Sequence, residues 1–355
     1  MPQTLEEFEE VLLAFKNDDP NANGENDEIP FTAEAESPFD PFVMGSFLYN
    51  PGEPWLLLDN GRVTSAVDRP QWREGIRYLR RLYRQGLVAD ESFTQTAEQL
   101  LRLGDTAGEP VLGAVRAFYW GTFLTIDEAD PKARWKGYVT VPPLEGPDGT
   151  RVASWNYYSG IITGNFVVTS ACKRPQLAVM WADGLYEGEA IVRSYAGVEG
   201  EDWRWAKPGE VGLDGRQGMY RILGTWGQSE GRTWAQRGVM YRSNDFRLSQ
   251  VVDPEAPTFE RDLHAHTERD YYEYRQPKEQ QLPPLFMTAE QAAQAGELST
   301  TLTNHVTQSF AEFVRGDLDI DDDRAWGAYV RTLREIGLPA YVALHQEAYE
   351  AKYST

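Results

Sequence analysis

The sequence predicts an α/β chain arranged in two lobes, on three observations: its length, the alternation of strand-like runs with amphipathic helices, and a long helical end. At 355 residues it exceeds a typical single domain, and 41% hydrophobic content with 11 Trp is enough for a sizeable core. Strand-like runs such as VLGAV (111–115) sit between helical patterns, which is the ordering of α/β proteins.

The first helix opens almost at Met1. Thr4 and Glu7 are spaced as a capping box, and Leu5, Phe8, Leu12 and Phe15 make one apolar face before Asp18 and Asp19. Residues 31–68 read as loops and short strands, with a tight hairpin at DNGR (59–62). Pro70 starts a helix whose Trp72, Ile76, Leu79, Leu82 and Tyr83 share a face until Gly86. Its arginines, Arg73, Arg77, Arg80, Arg81 and Arg84, read as a solvated face. A helix over 94–103 precedes strand 111–115, and GYVTVPPL (137–144) reads as a strand ended by two prolines. Residues 161–170 read as another strand, followed by a helix from Pro175 through Leu185. From about 197 to 285 the pattern is irregular with short helices. The end is helical over 288–295, 298–315, 322–336 and 339–352, with breaks at Gly316 and Gly337.

Charge and cysteine content exclude several classes. With 34 basic and 55 acidic residues the net charge is −21, so a nucleic-acid partner or an anionic membrane surface is disfavoured. The single cysteine, Cys172, excludes an intrachain disulfide and reads as a buried inert thiol. No apolar run spans a membrane, and no secretory signal pattern precedes the first helix.

The stretch DPNANGENDE (19–28) carries the most specific chemistry. Counting Asp19 as position one, side-chain oxygens fall at positions one, three, five and nine (Asp19, Asn21, Asn23, Asp27), and Gly24 takes position six, where a calcium loop turns. Glu25 at position seven would offer its backbone carbonyl. Pro30 at position twelve excludes an EF-hand proper, so the bidentate ligand of a Ca²⁺ ion would have to come from Glu28. An Asx-rich turn is the alternative, because turns use the same residues.

Catalytic signatures are absent: no HExxH, GxSxG, SxxK, Walker or GxGxxG pattern occurs, and the closest histidine pair, His264 and His266, reads as exposed. Two aromatic clusters stand out instead, Phe118–Tyr119–Trp120 and Trp155–Asn156–Tyr157–Tyr158. Sugar rings stack their C–H faces on Trp and Tyr while their hydroxyls need polar partners, here Arg116 and Asn156. Core filling is the competing reading for any single aromatic.

Four stretches together carry a family resemblance: PQTLEEFEEVLLAFKNDDPNANGENDEIP (2–30), PQWREGIRYLRRLYRQGLV (70–88), NFVVTSACKRPQLAVMWADGLY (165–186) with the following GVEGEDW, and the tail from Phe313 to Tyr353. They resemble the extracellular solute-binding proteins of carbohydrate ABC importers, in the lipoprotein-type and alginate-binding branch. The resemblance implies a periplasmic-binding-protein-like, two-lobed α/β clamp of type II. Such a protein is not an enzyme: it closes on an oligosaccharide and delivers it to the permease subunits. It further implies a monomer located outside the cytoplasm, at the cell surface as a lipoprotein or in the periplasm. A structural calcium is implied at Asp19, Asn21, Asn23, the Glu25 carbonyl, Asp27 and Glu28. The position matching Trp120 stacks on sugar in maltose-type relatives.

The resemblance also sets expectations for organisation. Residues 1–142 form the first part of the larger lobe, 143–284 form an incomplete second lobe, and 285–355 return to the larger lobe as a helical tail. The family pattern begins upstream of Met1, so the first segment of one lobe is expected to be absent, with marginal stability and weakened sugar affinity as the result. A carbohydrate hydrolase and a truncated, non-transporting remnant are the alternatives.

Overall fold

The computed structural model describes residues 1–158, 160, 164, 166–224, 230–234, 241–253 and 258–353. In chain order the elements are α1 (Leu5–Asn17), β1 (Ile29–Ala33), α2 (Asp40–Val43), β2 (Leu56–Asp59), β3 (Arg62–Ser65), α3 (Pro70–Arg84), α4 (Ala97–Gly104) and β4 (Leu112–Arg116). They continue with α5 (Pro175–Asp183), α6 (Gly188–Ala196), β5 (Trp203–Trp205), β6 (Tyr220–Ile222), α7 (Asn244–Leu248), α8 (Phe259–Asp270), α9 (Ala289–Arg315), α10 (Asp323–Ile336) and α11 (Leu338–Tyr353). This is the α/β class that the sequence predicts.

Two compact units emerge. Unit 1 comprises Met1–Thr125, Gly137–Tyr158 and Thr267–Thr355, and unit 2 comprises Ile126–Lys136 and Ser159–His266. These boundaries differ from the expected 142/143 and 284/285: stretches 143–158 and 267–284 are bound into unit 1, and 126–136 into unit 2. Side chains and short bridges explain the first assignment. Glu145 exchanges backbone hydrogen bonds with Gln3 and Leu5, Val152 N–H donates to the Gly45 carbonyl at 2.9 Å, and Tyr157 N–H donates to Gln281 Oε1 at 2.6 Å.

In unit 1, β1 and β4 pair in parallel, with Ile29 opposite Leu112 and Ala33 opposite Arg116. A parallel pair needs a long crossover, and the intervening chain with α3 and α4 supplies it. The Asn-Gly hairpin forms as read: β2 and β3 pair antiparallel with Asp59 opposite Arg62, and Asn60 and Gly61 both take positive φ (49° and 78°), the left-handed pair this turn requires.

Helix α3 organises the core. Pro70 lies in its first turn, and Trp72, Ile76, Leu79 and Leu82 are buried against α2 and α9, with Trp72 between Trp55 and Phe310 at ring separations of 6.4 and 6.2 Å. Its polar face departs from the solvated reading. Arg80 Nη1 donates to the Arg315 carbonyl at 2.6 Å, placing a cation on the C-terminal end of α9, where carbonyls lack partners. Arg73 Nε donates to the Ile320 carbonyl at 2.9 Å, Arg77 pairs with Asp321, and Arg81 pairs with Glu9. Arg73, Arg77 and Arg80 thus clamp the turn between α9 and α10, and Arg81 ties α3 to α1. Helix α9 runs unbroken through Gly296 from a Thr288–Gln291 capping box, merging the two tail helices expected over 288–315.

The expected strand 137–144 is not formed. Pro142 and Pro143 carry no donor for a ladder, and side chains hold the segment instead. Tyr138 O–H donates to the Leu112 carbonyl (2.7 Å), Tyr271 O–H to the Val141 carbonyl (2.6 Å), Arg151 Nε to the Pro143 carbonyl (2.6 Å), and Thr140 bonds Asp270. Of the strand expected over 161–170, residues 161–163 and 165 lie outside the described residues, and 166–170 are not in a strand.

Unit 2 is more lightly built. Its described core cluster is Ile191, Val192, Ala196, Trp203, Tyr220 and Phe246, and its sheet among the described residues is the antiparallel β5–β6 pair. Cys172 is a free thiol and only partly buried, which corrects the expectation of full burial. His264 and His266 lie two residues apart on α8, a spacing that does not put two side chains on one helix face.

Close packing gives a direct test of the α4 region. A Cβ on Gly104 would overlap the Phe123 carbonyl oxygen, which is backbone and cannot swing aside. Gly104→Ala is therefore expected to destabilise the protein by about 1–3 kcal/mol through overpacking. Urea denaturation reads this out, and an unchanged midpoint would rule out the packing described.

Candidate functional site

The loop 19–28 connects the C-terminal end of α1 to the start of β1. Asp18 caps α1 through its N–H to the Ala14 carbonyl, and the chain then reverses through positive φ at Asp19 (45°), Ala22 (57°) and Gly24 (82°). Asp19 accepts from Asn23 N–H (3.1 Å) and Gly24 N–H (2.9 Å), and Asn21 Oδ1 also accepts from Asn23 N–H (3.0 Å). Asn23 Oδ1 accepts from Glu25 N–H (2.7 Å), and Asn23 Nδ2 donates to Asp27 (3.2 Å). These are Asx-turn contacts, and they draw the oxygens of positions one, three, five and nine into one loop. Asn21 Nδ2 also donates to the Pro110 carbonyl at 3.1 Å, tying the loop to the approach of β4.

Glu28 is the exception in this network. Both of its carboxylate oxygens are buried without a hydrogen-bond partner. A buried carboxylate with nothing to pair it is costly, and a cation is the kind of group that would satisfy it. Among the described residues no three His, Cys, Asp or Glu side chains are grouped to hold a metal. The loop's donor set is instead mixed, with Asp19, Asp27 and Glu28 carboxylates, Asn21 and Asn23 amides and the Glu25 carbonyl, an all-oxygen set that suits a hard ion such as Ca²⁺.

At the opposite, C-terminal ends of β1 and β4 lies a second polar cluster. Ligands of α/β sheets gather outside such strand ends. Arg116 ends β4 opposite Ala33, followed in the chain by buried Glu34. Burial pulls the Arg116 guanidinium below its ordinary value, opposed by the charge of Asp40 and then by Tyr271 and Glu34. Burial likewise pushes the Asp40 carboxyl up, against hydrogen bonds from Asn50 Nδ2 (2.8 Å) and Trp55 Nε1 (3.0 Å) and the charge of Arg116.

The aromatic residues divide. Trp120 is 6% exposed and packs inside unit 1, whereas Phe118 of the same cluster is 83% exposed and meets Tyr119 edge to face at 6.1 Å. Gly121 leaves room for the Tyr119 ring, into which a Cβ would project.

Trp155, Tyr157 and Tyr158 fall beside YYEYR (271–275) and Lys278, in the stretch expected to be irregular. Trp155 meets Tyr272 edge to face at 5.6 Å, and the Arg275 guanidinium lies over both rings, 3.1 Å from the centre of Tyr272 and 5.5 Å from that of Trp155. Lys278 Nζ stands 5.5 and 5.4 Å from the Tyr157 and Tyr158 ring centres. Asn156 Oδ1 accepts from Tyr158 N–H at 2.8 Å and shapes this turn. Within this segment Tyr271 O–H donates to the Val141 carbonyl, while its neighbour Tyr272 meets Trp155, so both ends of the pair are held within unit 1. Three tyrosines and an arginine in five residues were the available signal.

Taken together, the parallel β1–β4 pair, its helical flanks and the two-unit chain path are the α/β fold of the solute-binding proteins. No protein-family model matches the chain. The chain is related to substrate-binding components of carbohydrate ABC transporters. It is 25% identical over 355 residues to the fructooligosaccharide ABC transporter substrate-binding protein FusA of Streptococcus pneumoniae serotype 4, a match covering 99% of this chain and 62% of that protein. It is 27% identical over 218 residues to lipoprotein LipO of Bacillus subtilis, covering 57% of this chain and 41% of LipO. The chain thus spans under two thirds of the length of either relative.

Among solved structures, FusA in complex with kestose superimposes with a TM-score of 0.75 at 21% identity, covering 100% of this chain and 69% of that one. A FusA EF-hand mutant in complex with fructo-nystose gives 0.70 at 20% identity, again covering 100% and 69%. The alginate-binding protein AlgQ2 without calcium ion gives 0.62 at 17% identity, covering 99% and 68%. FusA and AlgQ2 are binding proteins.

Proposed function

We propose that this chain captures an oligosaccharide for an ABC import permease and performs no chemistry on it. The observation carrying this reading is the aromatic and cationic group of unit 1 built by Trp155, Tyr157, Tyr158 and Tyr272 with Arg275 and Lys278. Flat rings suit the C–H faces of sugars, and the guanidinium and ammonium groups donate to hydroxyls. Relatedness to a fructooligosaccharide-binding protein makes short fructose oligomers such as kestose the first ligands to try. The site of action is proposed to lie outside the cytoplasm, where an importer collects its cargo.

Loop 19–28 is proposed to hold one structural Ca²⁺ through Asp19, Asn21, Asn23, the Glu25 carbonyl, Asp27 and Glu28. The two orphaned oxygens of Glu28 support this assignment. The ion would brace the end of α1 against the start of β1 and take no part in chemistry. When bound it supplies positive charge; the residues of the chain orient the loop and exclude water from Glu28.

Calorimetric titration of a fructooligosaccharide series tests the ligand reading. Tyr272→Ala is expected to weaken binding about 10-fold, since one aromatic stacking contact contributes roughly 1–1.5 kcal/mol. Arg275→Ala should weaken it in the same direction. No heat with any oligosaccharide, or shortened products on incubation, would overturn the proposal in favour of a non-transporting protein or a hydrolase respectively.

A further inference from the structure

The candidate ligand group of unit 1 does not end at Lys278. Gln281, 2% exposed, accepts from Tyr157 N–H at 2.6 Å and donates through Nε2 to the Gln276 carbonyl at 2.9 Å, so the chain leaves this group from a fixed point. It continues as LPPLF (282–286), and even fully extended these five residues put Phe286 no more than about 18 Å from Gln281. The end of α11 is fastened to the same segment. Tyr353 O–H donates to the Pro284 carbonyl at 2.9 Å, and the Lys352 ammonium stands 3.5 Å from the Phe286 ring centre and 5.4 Å from that of Tyr353. Tyr353 stacks in turn on Tyr349, four residues back on the helix, at 5.5 Å.

The Phe286 ring is 61% exposed, a flat apolar surface held out of the core beside a cation. This repeats the pairing of Lys278 with Tyr157 and Tyr158. Burial, then Tyr353, Glu279 and Tyr349, raise the Tyr158 hydroxyl above its ordinary value, which puts the last turn of α11 near Tyr158.

We propose that Phe286, Lys352 and Tyr353 form an outer subsite for the far end of the same oligosaccharide, so that this chain selects long oligomers over short ones. A sugar ring beyond the reach of Trp155 and Tyr272 stacks its C–H face on Phe286, and Lys352 donates to its hydroxyls. A short ligand ends at the inner group and gains nothing from these residues. The inference rests on the oligosaccharide reading above and adds to it the length of the ligand.

Calorimetry on the purified chain with fructooligosaccharides of increasing length, from kestose upward, tests the subsite. Wild-type affinity is expected to rise with length. Phe286→Ala should lower affinity for the longest members about 10-fold while changing that for kestose less than about 2-fold. Phe286→Trp, which keeps a flat ring, should restore the preference, and the melting temperature of Phe286→Ala should stay within about 2 °C of wild type. Three results would remove the subsite and leave the inner site standing: wild-type affinity independent of length, a length preference that survives Phe286→Ala, or equal losses for short and long members. If the wild-type chain binds no member at all, the oligosaccharide reading itself falls and the subsite falls with it.

Discussion

Glu260→Ala is expected to unfold unit 2 while unit 1 stays folded, at a cost of about 3–5 kcal/mol. The Glu260 carboxylate is buried and accepts from Arg247 at 2.7 and 2.9 Å, from Arg242 at 3.2 Å and from the Tyr195 hydroxyl at 3.2 Å. Arg242 is itself largely enclosed, with its guanidinium 3.9 Å from the Tyr195 ring centre. Removing the acid leaves that cation buried without its counter-charge, and the small core around Trp203 and Tyr220 has little to offset the loss. Hydrogen exchange should show β5, β6 and α7 losing protection while α3 and α9 keep theirs. Equal loss in both units, or a change under about 1 kcal/mol, would sink the idea.

The same carboxylate sets a pH dependence. Burial pushes it up, but Arg247 and then Arg242 outweigh burial and hold it below its ordinary value. A depressed folded-state value means the unfolded chain binds the proton more readily. The stabilisation is therefore complete above the unfolded value near ~4.3 and is lost as pH falls through the lower folded value. Acid should open unit 2 first below about pH 4, and Glu260→Gln should flatten that response.

Glu28→Gln is expected to change sign with calcium. In chelator the substitution removes a buried, unpartnered charge and should leave stability unchanged or raise it. With Ca²⁺ at 100 times its dissociation constant, the wild-type protein should gain about 2.7 kcal/mol that the variant largely forfeits. Thermal melts of both proteins in chelator and in millimolar Ca²⁺ resolve the four states. Equal calcium stabilisation of the two proteins would move the ion elsewhere. No calcium effect on either would leave the loop as an Asx turn.

Much of unit 1 was legible because local signals agreed with packing. The spacing of Trp72, Ile76, Leu79 and Leu82 defines the buried face of α3, and Asn60–Gly61 defines its hairpin. The calcium-type spacing of 19–28 was equally plain, since it is local. What sequence could not supply was partnership at a distance. The arginines of α3 look like a solvated stripe until the α9–α10 turn arrives to use them. GYVTVPPL has strand composition, but its two prolines leave stitching to side chains such as Tyr271. In the candidate ligand site, Trp155 and Tyr157 were visible as a cluster, whereas Tyr272, Arg275 and Lys278 enter only because the chain returns to unit 1 after His266. Trp120 reads the same as Phe118 in one dimension, and only packing decides that the first is buried and the second exposed.

The three-segment construction of unit 1 has a consequence for how the chain is made. Arg73 reaches Asp323 across 250 positions, and Trp72 waits for Phe310 to cover it. At synthesis rates of about 5–20 residues per second, the apolar face of α3 stays without its cover for roughly 12–50 s after leaving the ribosome. A nascent chain in that interval has the first wall of a building whose last wall arrives from the far end. Shortening the gene at its 3′ side would then trim no tail; it would leave Trp72, Ile76 and Leu79 permanently facing water, and aggregation would be the expected fate of the product.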